Sequence, residues 1–296
     1  MNQPPKALRE TRFESARLNP IGVELMTLSE LRARVSSRLF VVTERVEFFM
    51  VLVATGGRGE HLVDFERLGL RTGHVVFVRP GQVQQWQPTD GLEADVLLID
   101  PAVVQPKASK SQQGTMALLH LEDWPVHFKL DADGLAVWKS LAAMLSRELD
   151  RPLLDELSAA MARELLVCQM LSLSRSATGH AAAPTAQSAL VRRLRRELER
   201  CVDTRPSVAR LAGSLHVSTS TLTRACRDVL GHSAKDEVDR RVALEAQRLL
   251  VHSTSTSVAI GEHLGFSEPT NFVKFFRRRV GMTPEAFRQA HRLQRR

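Results

Sequence analysis

Two stretches of this chain, SVARLAGSLHVSTSTLTRACRDVLGHS at 207–233 and SVAIGEHLGFSEPTNFVKFFRRRVGMT at 257–283, repeat one order of residue types. Each runs through an apolar pair, a turn, an apolar residue, a Ser, two further apolar residues, a Gly and then Ser or Thr. That order suits two helices that cross at a small residue, joined by a tight turn, with apolar side chains fixing the second against the first. In the first copy Ala212 takes the crossing, Val217 follows the turn, and Leu222 and Cys226 face inward. In the second copy Gly261, Phe266, Phe272 and Phe276 take those places, and Gly265 gives the turn a permissive backbone. Ser218 and Ser267 stand where an N-cap belongs, so the first amides of each second helix are expected to be satisfied and aimed at a phosphate. Between the copies, AKDEVDRRVALEAQRLL at 234–250 places Val238, Val242, Ala246 and Leu249 on one face, which reads as a connecting helix. Ahead of them Val191, Leu194, Leu198 and Cys201 stripe a further helix, and Pro206 opens the next.

The charge falls in the same place. The net charge is +8, but from residue 187 onward there are 21 Lys and Arg against 11 Asp and Glu, while residues 1–186 hold 20 against 22. A basic third attached to a near-neutral remainder is the electrostatic footprint of polyanion binding, because each phosphate neutralised releases condensed counterions. The alternative use of such a segment is a solvated basic face.

At 296 residues the chain is long enough for two domains. Residues 174–189, SRSATGHAAAPTAQSA, lack an apolar period and read as a linker. Residues 1–20, with Pro4, Pro5 and Pro20, read as an N-terminal arm. From 21 to about 130 short β-runs are broken by Gly and Pro: 48–55, 60–68, 74–78 and 94–100, separated by GGRG, RTG and RPGQ. This spacing suggests an antiparallel barrel or sandwich. Then the period changes. Trp138, Leu141, Leu145 and Leu149 form one helical stripe, and Leu153, Leu157, Met161, Leu165 and Cys168 a second, with Pro152 placed for its first turn. This helical pair, within 134–173, either closes the core of the β-region or pairs with a second copy of the chain.

The expected fold class is therefore α+β, with domains at 21–173 and 190–296. Cys168, Cys201 and Cys226 form no CxxC pair and read as small buried apolar groups. No apolar run is long enough to span a bilayer and the N-terminus lacks a signal-peptide pattern, so a cytoplasmic protein without a membrane partner is expected.

On the repeat, and above all on GFSEPTNFVKFFRRRVGMTPEAFR at 265–288, residues 207–288 resemble the DNA-binding domain of the AraC/XylS family of transcription regulators. Two positions depart from the family pattern: Gly261 stands where Ala is usual, at a helix cost of about 1 kcal/mol, and His216 stands where the first turn often has Gly. The resemblance implies that the two second helices enter successive major-groove segments of one double-stranded DNA, about 34 Å apart. On that geometry the base readers are Ser220, Thr223 and Arg224 in the first unit and Thr270, Asn271 and Lys274 in the second. Arg224 can present a fork to guanine, Asn271 can pair with adenine, and Lys274 can reach guanine or phosphate. Ser218, Arg227, Ser267, Arg277, Arg278 and Arg279 are the expected phosphate contacts. Each of these residues could instead be an ordinary solvated polar group.

GHVVFVRPGQVQQW at 73–86 resembles the second cupin motif, with Gln84 where a metal-binding His would stand; the preceding stretch offers only His61. Too few ligands converge for a metal, and neither metal nor cofactor is expected. The region instead resembles the cupin-like effector-binding barrel of the family, whose mouth would take a small molecule. Candidate lining residues are His61, Asp64, Arg79, Gln84 and Trp86. The leading reading is a ligand-responsive regulator, not an enzyme, that forms a homodimer through 134–173 and has RNA polymerase as a further partner. Two alternatives stand beside it: a cupin-type metal-dependent enzyme with an appended nucleic-acid module, separable by metal content, and a constitutive regulator whose N-terminal domain only dimerises, separable by a metabolite thermal-shift panel.

Overall fold

The computed structural model describes residues 10–11, 21–34, 43–87, 91–104, 119, 121–151, 155–177 and 185–292. The chain divides into two compact units, one within Arg9–His180 and one within Ala181–Arg296.

The first unit is built on two five-stranded sheets. One has the order β1 (Glu10–Thr11), β3 (Glu44–Val46), β8 (Val83–Trp86), β5 (Arg58–Val63), β6 (Glu66–Arg71). The other has the order β10 (His127–Lys129), β7 (His74–Val78), β4 (Phe49–Gly56), β9 (Glu93–Ile99), β2 (Val23–Thr27). All described pairings are antiparallel except β1 with β3. Two short helices, α1 (Leu28–Arg34) and α2 (Pro101–Val104), follow β2 and β9.

The sheets pack face to face through Val46, Val63 and Leu70 on one side and Met50, Leu52, Val76, Val78 and Val96 on the other. The opposite face of the second sheet, carrying Phe49, Val51, Val53, Val75, Phe77 and Leu97, is covered by α3 (Ala132–Leu149) and α4 (Glu156–Ala177). This double coverage explains the unbroken apolar run of β4. A half-exposed strand alternates, whereas one buried on both faces does not.

The run at 60–68 is not one strand but a hairpin. Asp64 and Phe65 turn in the left-handed region, φ +47° and +71°, and β5 pairs with β6 across them. The Asp64 carboxylate stabilises the corner by accepting from the Val83 amide at 3.1 Å and from Gln82 Nε2 at 2.6 Å. A turn without Gly or Asn carries little local signal of a hairpin.

The helical pair covers the sheet, and one stripe is corrected. Trp138 and Leu145 of α3 are buried as expected, with Ala142 between them. The Trp138 indole donates to Asp95 of β9 at 2.8 Å, and burial pushes that carboxyl up from its ordinary range. On α4, however, the buried face is Ser158, Ala159, Ala162, Leu166, Gln169, Met170 and Leu173. Leu157 is 82% exposed and Met161 and Cys168 are also exposed, so among the described residues of the expected stripe Leu165 alone packs against the core, and only in part. Alanines at 159 and 162 let α4 approach its neighbours closely, and that close packing selects the face. Pro152 and Leu153 lie outside the described residues, as does the proposed arm apart from Glu10–Thr11. The segment read as linker is helical at both ends: α4 continues to Ala177 and α5 begins at Ala186.

Gln169 is fully buried in this apolar layer, and neither amide atom has a hydrogen-bond partner among the described residues. An unpaired buried polar group costs about 1–3 kcal/mol. Gln169→Leu is therefore expected to raise the urea midpoint of the first unit. A lower midpoint would show that the amide is satisfied in solution.

The second unit is all helix. Thr185 caps α5 (Ala186–Cys201); then come α6 (Val208–Ser214), α7 (Thr219–Leu230), α8 (Ala234–His252), α9 (Ser257–His263), α10 (Pro269–Val280) and α11 (Pro284–Arg292). The connecting helix α8 is its spine. Ala234, Val238, Val242, Ala243, Ala246, Leu250 and Val251 are buried around most of its circumference, as a helix packed on several sides requires. Arg241 binds both oxygens of Glu199 on α5, and Arg195 of α5 binds Glu237 at 2.7 Å. Among the described residues no helix is long and apolar enough to cross a membrane.

Candidate nucleic-acid interface

The first repeat folds as α6, turn, α7. Ser207 caps α6 by accepting from the Arg210 amide. The helix then ends in a left-handed residue, His216 at φ +57°, whose amide donates to Gly213 O while the Val217 amide donates to Ala212 O at 3.0 Å. This is the usual double closure of a helix C-terminus, made by a residue with a Cβ at some conformational cost. The second repeat closes the same way: Gly265 sits at φ +78°, and the Phe266 amide donates to Gly261 O at 2.9 Å. The first helices of the two units are 49 residues apart, from cap Ser207 to cap Thr256, whereas Leu222 and Phe272 are 50 apart.

The extra residue lies in the second turn and moves the cap. Ser218 caps α7, accepting from the Thr221 amide at 3.1 Å and sharing hydroxyl bonds of 2.8 Å with Ser220 and Thr221. Ser267 does not cap α10. Glu268 occupies that position without a side-chain cap bond, and Pro269 at the first turn removes one amide that would have needed a partner.

Leu222, Ala225 and Cys226 bury the inner face of α7; Phe272, Phe275 and Phe276 bury that of α10. Burial holds the Cys226 thiol protonated, with its pKa pushed up to about 11, so it acts as packing. The outer faces are then fixed by period. On α7, Ser220, Thr221, Arg224, Arg227 and Asp228 are exposed and Thr223 is half-buried; on α10, Thr270, Asn271, Val273, Lys274, Arg277 and Arg278 are exposed. Among the described residues the side chains of Arg224, Arg227, Lys274, Arg277 and Arg278 make no hydrogen bond or ion pair. Five unpaired cations thus stand on the solvent faces of the two second helices.

Arg279 is placed elsewhere. Its guanidinium donates to Asp236 at 3.0 Å and to Asp239 at 2.6 Å, and Asp239, almost fully buried, also binds Lys235. Reaching a phosphate would break both bonds, so Arg279 ties α10 to α8 instead. Arg205 is a residue that sequence reasoning missed. In the left-handed region at φ +44°, it lays its guanidinium over Phe266, 4.1 Å from the ring centroid, and over Phe275 at 5.5 Å. Nothing local in the sequence signals this stacking.

In the first unit the structure brings three of the five candidate lining residues together. His61, Gln84 and Trp86 share the inner face of the first sheet. His61 Nε2 donates to Gln84 Oε1 at 3.2 Å, Trp86 meets the imidazole edge-on at 4.6 Å between ring centroids, and His61 Nδ1 has no partner among the described residues. Asp64 belongs to the hairpin corner. Arg79 lies on the other face of its sheet, over Phe77, and binds Leu121 O and Trp124 O. Strand alternation separates it from the interior, where Val76 and Val78 point. Among the described residues no group of three or more His, Cys, Asp or Glu could hold a metal.

Burial lowers the His61 pKa to about 4 from an ordinary 6.5. The folded state then binds fewer protons than the unfolded chain between those values, so stability falls as pH drops from 6.5 toward 4. The loss is on the order of 3 kcal/mol. Unfolding of the first unit followed by urea at pH 6.5 and pH 4.5 is expected to show it, and His61→Phe is expected to reduce the difference. An undiminished difference in the variant would assign the pH dependence to other groups.

Residues 211–290 match the family model described as a helix-turn-helix domain. Over 247 residues the chain is 26% identical to the HTH-type transcriptional activator RhaS of Escherichia coli O157:H7, covering 82% of this chain and 86% of that protein. It is 25% identical over 249 residues to RhaS of Citrobacter koseri, with the same coverage. Among solved structures, ToxT from Vibrio cholerae superposes with a TM-score of 0.45 at 8% identity, over 90% of this chain and 98% of that one. The DNA-binding domain of AdpA in complex with a target DNA gives 0.33 at 26% identity, over 38% and 97%.

Proposed function

We propose that this chain is a DNA-binding transcription regulator of the AraC type, and that α7 and α10 read two neighbouring half-sites of one operator in double-stranded DNA. The observation that carries the proposal is the pair of outer faces with their five unpaired cations. Ser220, Thr223 and Arg224, and Thr270, Asn271 and Lys274, are the base readers. Ser218, Arg227, Ser267, Arg277 and Arg278 hold the backbone, and Arg279 positions α10. Arg224 is the strongest reader, because its planar fork matches the O6 and N7 acceptors of guanine.

Binding to a randomised duplex library tests this. The wild-type chain is expected to enrich a bipartite sequence, and Arg224→Ala to lose the preference at one position as well as affinity. If Arg224→Ala weakens all sequences equally, Arg224 is a phosphate contact.

The domain division follows from the same reading: 21–173 senses and assembles, and 190–296 binds DNA. In the sensing domain, His61, Gln84 and Trp86 supply a small polar cluster inside an apolar barrel, which suits a small-molecule effector. Val137, Met144, Leu157 and Met161 leave an exposed apolar face on the helical pair, which suits a homodimer. A cytoplasmic regulator of this kind acts with RNA polymerase as a partner.

A further inference from the structure

On the outer faces of the two reading helices the sign of the charge differs at one position, and the residue on α7 is locally unfavourable. Arg224 and Asp228 occupy the places on α7 that Lys274 and Arg278 occupy on α10, two positions one turn apart on the outer face. Asp is a poor helix former. Asp228 also lies two residues from the C-terminal end of α7 at Leu230, where the helix dipole disfavours an anion. On a surface that faces phosphate it repels. Its side chain has no hydrogen bond or ion pair among the described residues, so no contact there offsets these costs.

What offsets them lies one turn back. Residues i and i+4 on a helix stand about 5–6 Å apart at Cβ, within reach of a guanidinium and a carboxylate. In free solution such an exposed pair is weak, in keeping with the unpaired state of both side chains. Between the walls of the major groove the effective dielectric falls and the same contact strengthens. A guanidinium has five donors in a plane. A carboxylate engaging one edge fixes that plane and leaves two parallel donors for O6 and N7 of a guanine. At the matching place on α10, Lys274 is a point charge with no plane to fix, and there the neighbour is a cation.

We propose that Asp228 is a positioning residue for base reading: its carboxylate orients the Arg224 fork, so that α7 supplies the sharper discrimination while α10, with Arg277 and Arg278, supplies more of the phosphate affinity. This rests on the reading of Arg224 as a base contact.

The test selects bound sequences from a randomised duplex library with full-length wild-type, Arg224→Ala, Asp228→Asn and Asp228→Glu chains. Affinity for one fixed non-specific duplex is measured in parallel, and thermal melts check that each variant folds. Asp228→Asn is expected to cut the guanine preference at the position Arg224 reads by roughly fivefold or more, about the share of a bidentate contact that orientation controls. It is also expected to raise non-specific affinity by roughly two- to fivefold, because one repulsion with phosphate is gone. Asp228→Glu is expected to recover part of the guanine preference. If Asp228→Asn raises non-specific affinity and leaves the preference intact while Arg224→Ala removes it, Asp228 only repels phosphate and the proposal is overturned. If Arg224→Ala changes no position, the base-reading assignment fails first and this proposal with it.

Discussion

A chain carrying both Arg277→Gln and Arg278→Gln is expected to bind every duplex more weakly, roughly five- to tenfold per cation near physiological salt, and to flatten the slope of log K against log[salt] by about 1.8. Both side chains are exposed on the last turn of α10 and neither has a partner among the described residues, so their charge is available to phosphate. Their place late on the helix suits the backbone better than base edges. The loss should be uniform across sequences, with no change in the preferred bases. Arg279→Gln is the internal control. It removes the same charge from the same arginine run, but from a guanidinium already held by Asp236 and Asp239. It is expected to lower the melting temperature of the DNA-binding unit and to leave the salt slope close to wild type. A titration from 50 to 300 mM salt separates the two. An unchanged slope in the double variant, or an equal flattening in Arg279→Gln, would overturn the division of the run.

That division shows what a sequence can and cannot carry. The repeat was legible because the helix-turn-helix is specified locally: small crossing residue, left-handed turn residue, inward apolar period, all within one window. The strands at 74–78 and 94–100 were legible for the same reason. Arg279 was not, because the carboxylates that claim it lie 43 and 40 residues earlier on α8 and are brought to it only by the packing of α10. The second helix of the helical pair was obscure for a different reason. Apolar residues surround much of α4, and weighting by size favoured Leu157 and Met161 over Ala159 and Ala162. The sheet and α3 select the small residues because these allow close approach. Ser267 was misplaced by one residue because Pro269, which begins α10, shifts the cap to Glu268. Of the candidate lining residues, the three on strands obeying inward alternation came together, while Asp64 and Arg79 were claimed by a turn and a loop.

Phe272→Ala is expected to cost about 3–5 kcal/mol, the range for emptying a fully buried aromatic site, and to abolish DNA binding with the folding of the second unit. Phe272 is fully buried and stands in a chain of ring contacts: 5.3 Å from Phe266, 5.9 Å from Phe276, and through Phe276 to Phe287 at 5.6 Å. It also explains Gly261. A Cβ there would lie 3.0 Å from both Cβ and Cγ of Phe272, atoms held close to the α10 backbone, so the ring uses space that Ala fills in the first unit. Alanine in a helix normally gains about 1 kcal/mol over glycine. Gly261→Ala is expected instead to destabilise, since the overlap forces α10 away from α9. The two repeats therefore solve one crossing in two ways, Ala212 with Leu222 and Gly261 with Phe272. If this complementarity governs the site, the double variant Gly261→Ala with Phe272→Leu, which copies the first pair into the second, should be more stable than the sum of its single changes by about 1–2 kcal/mol. Chemical denaturation of the four chains closes the cycle. Additive effects would mean that Gly261 and Phe272 do not share the space, and that the glycine at the crossing answers to something other than the ring.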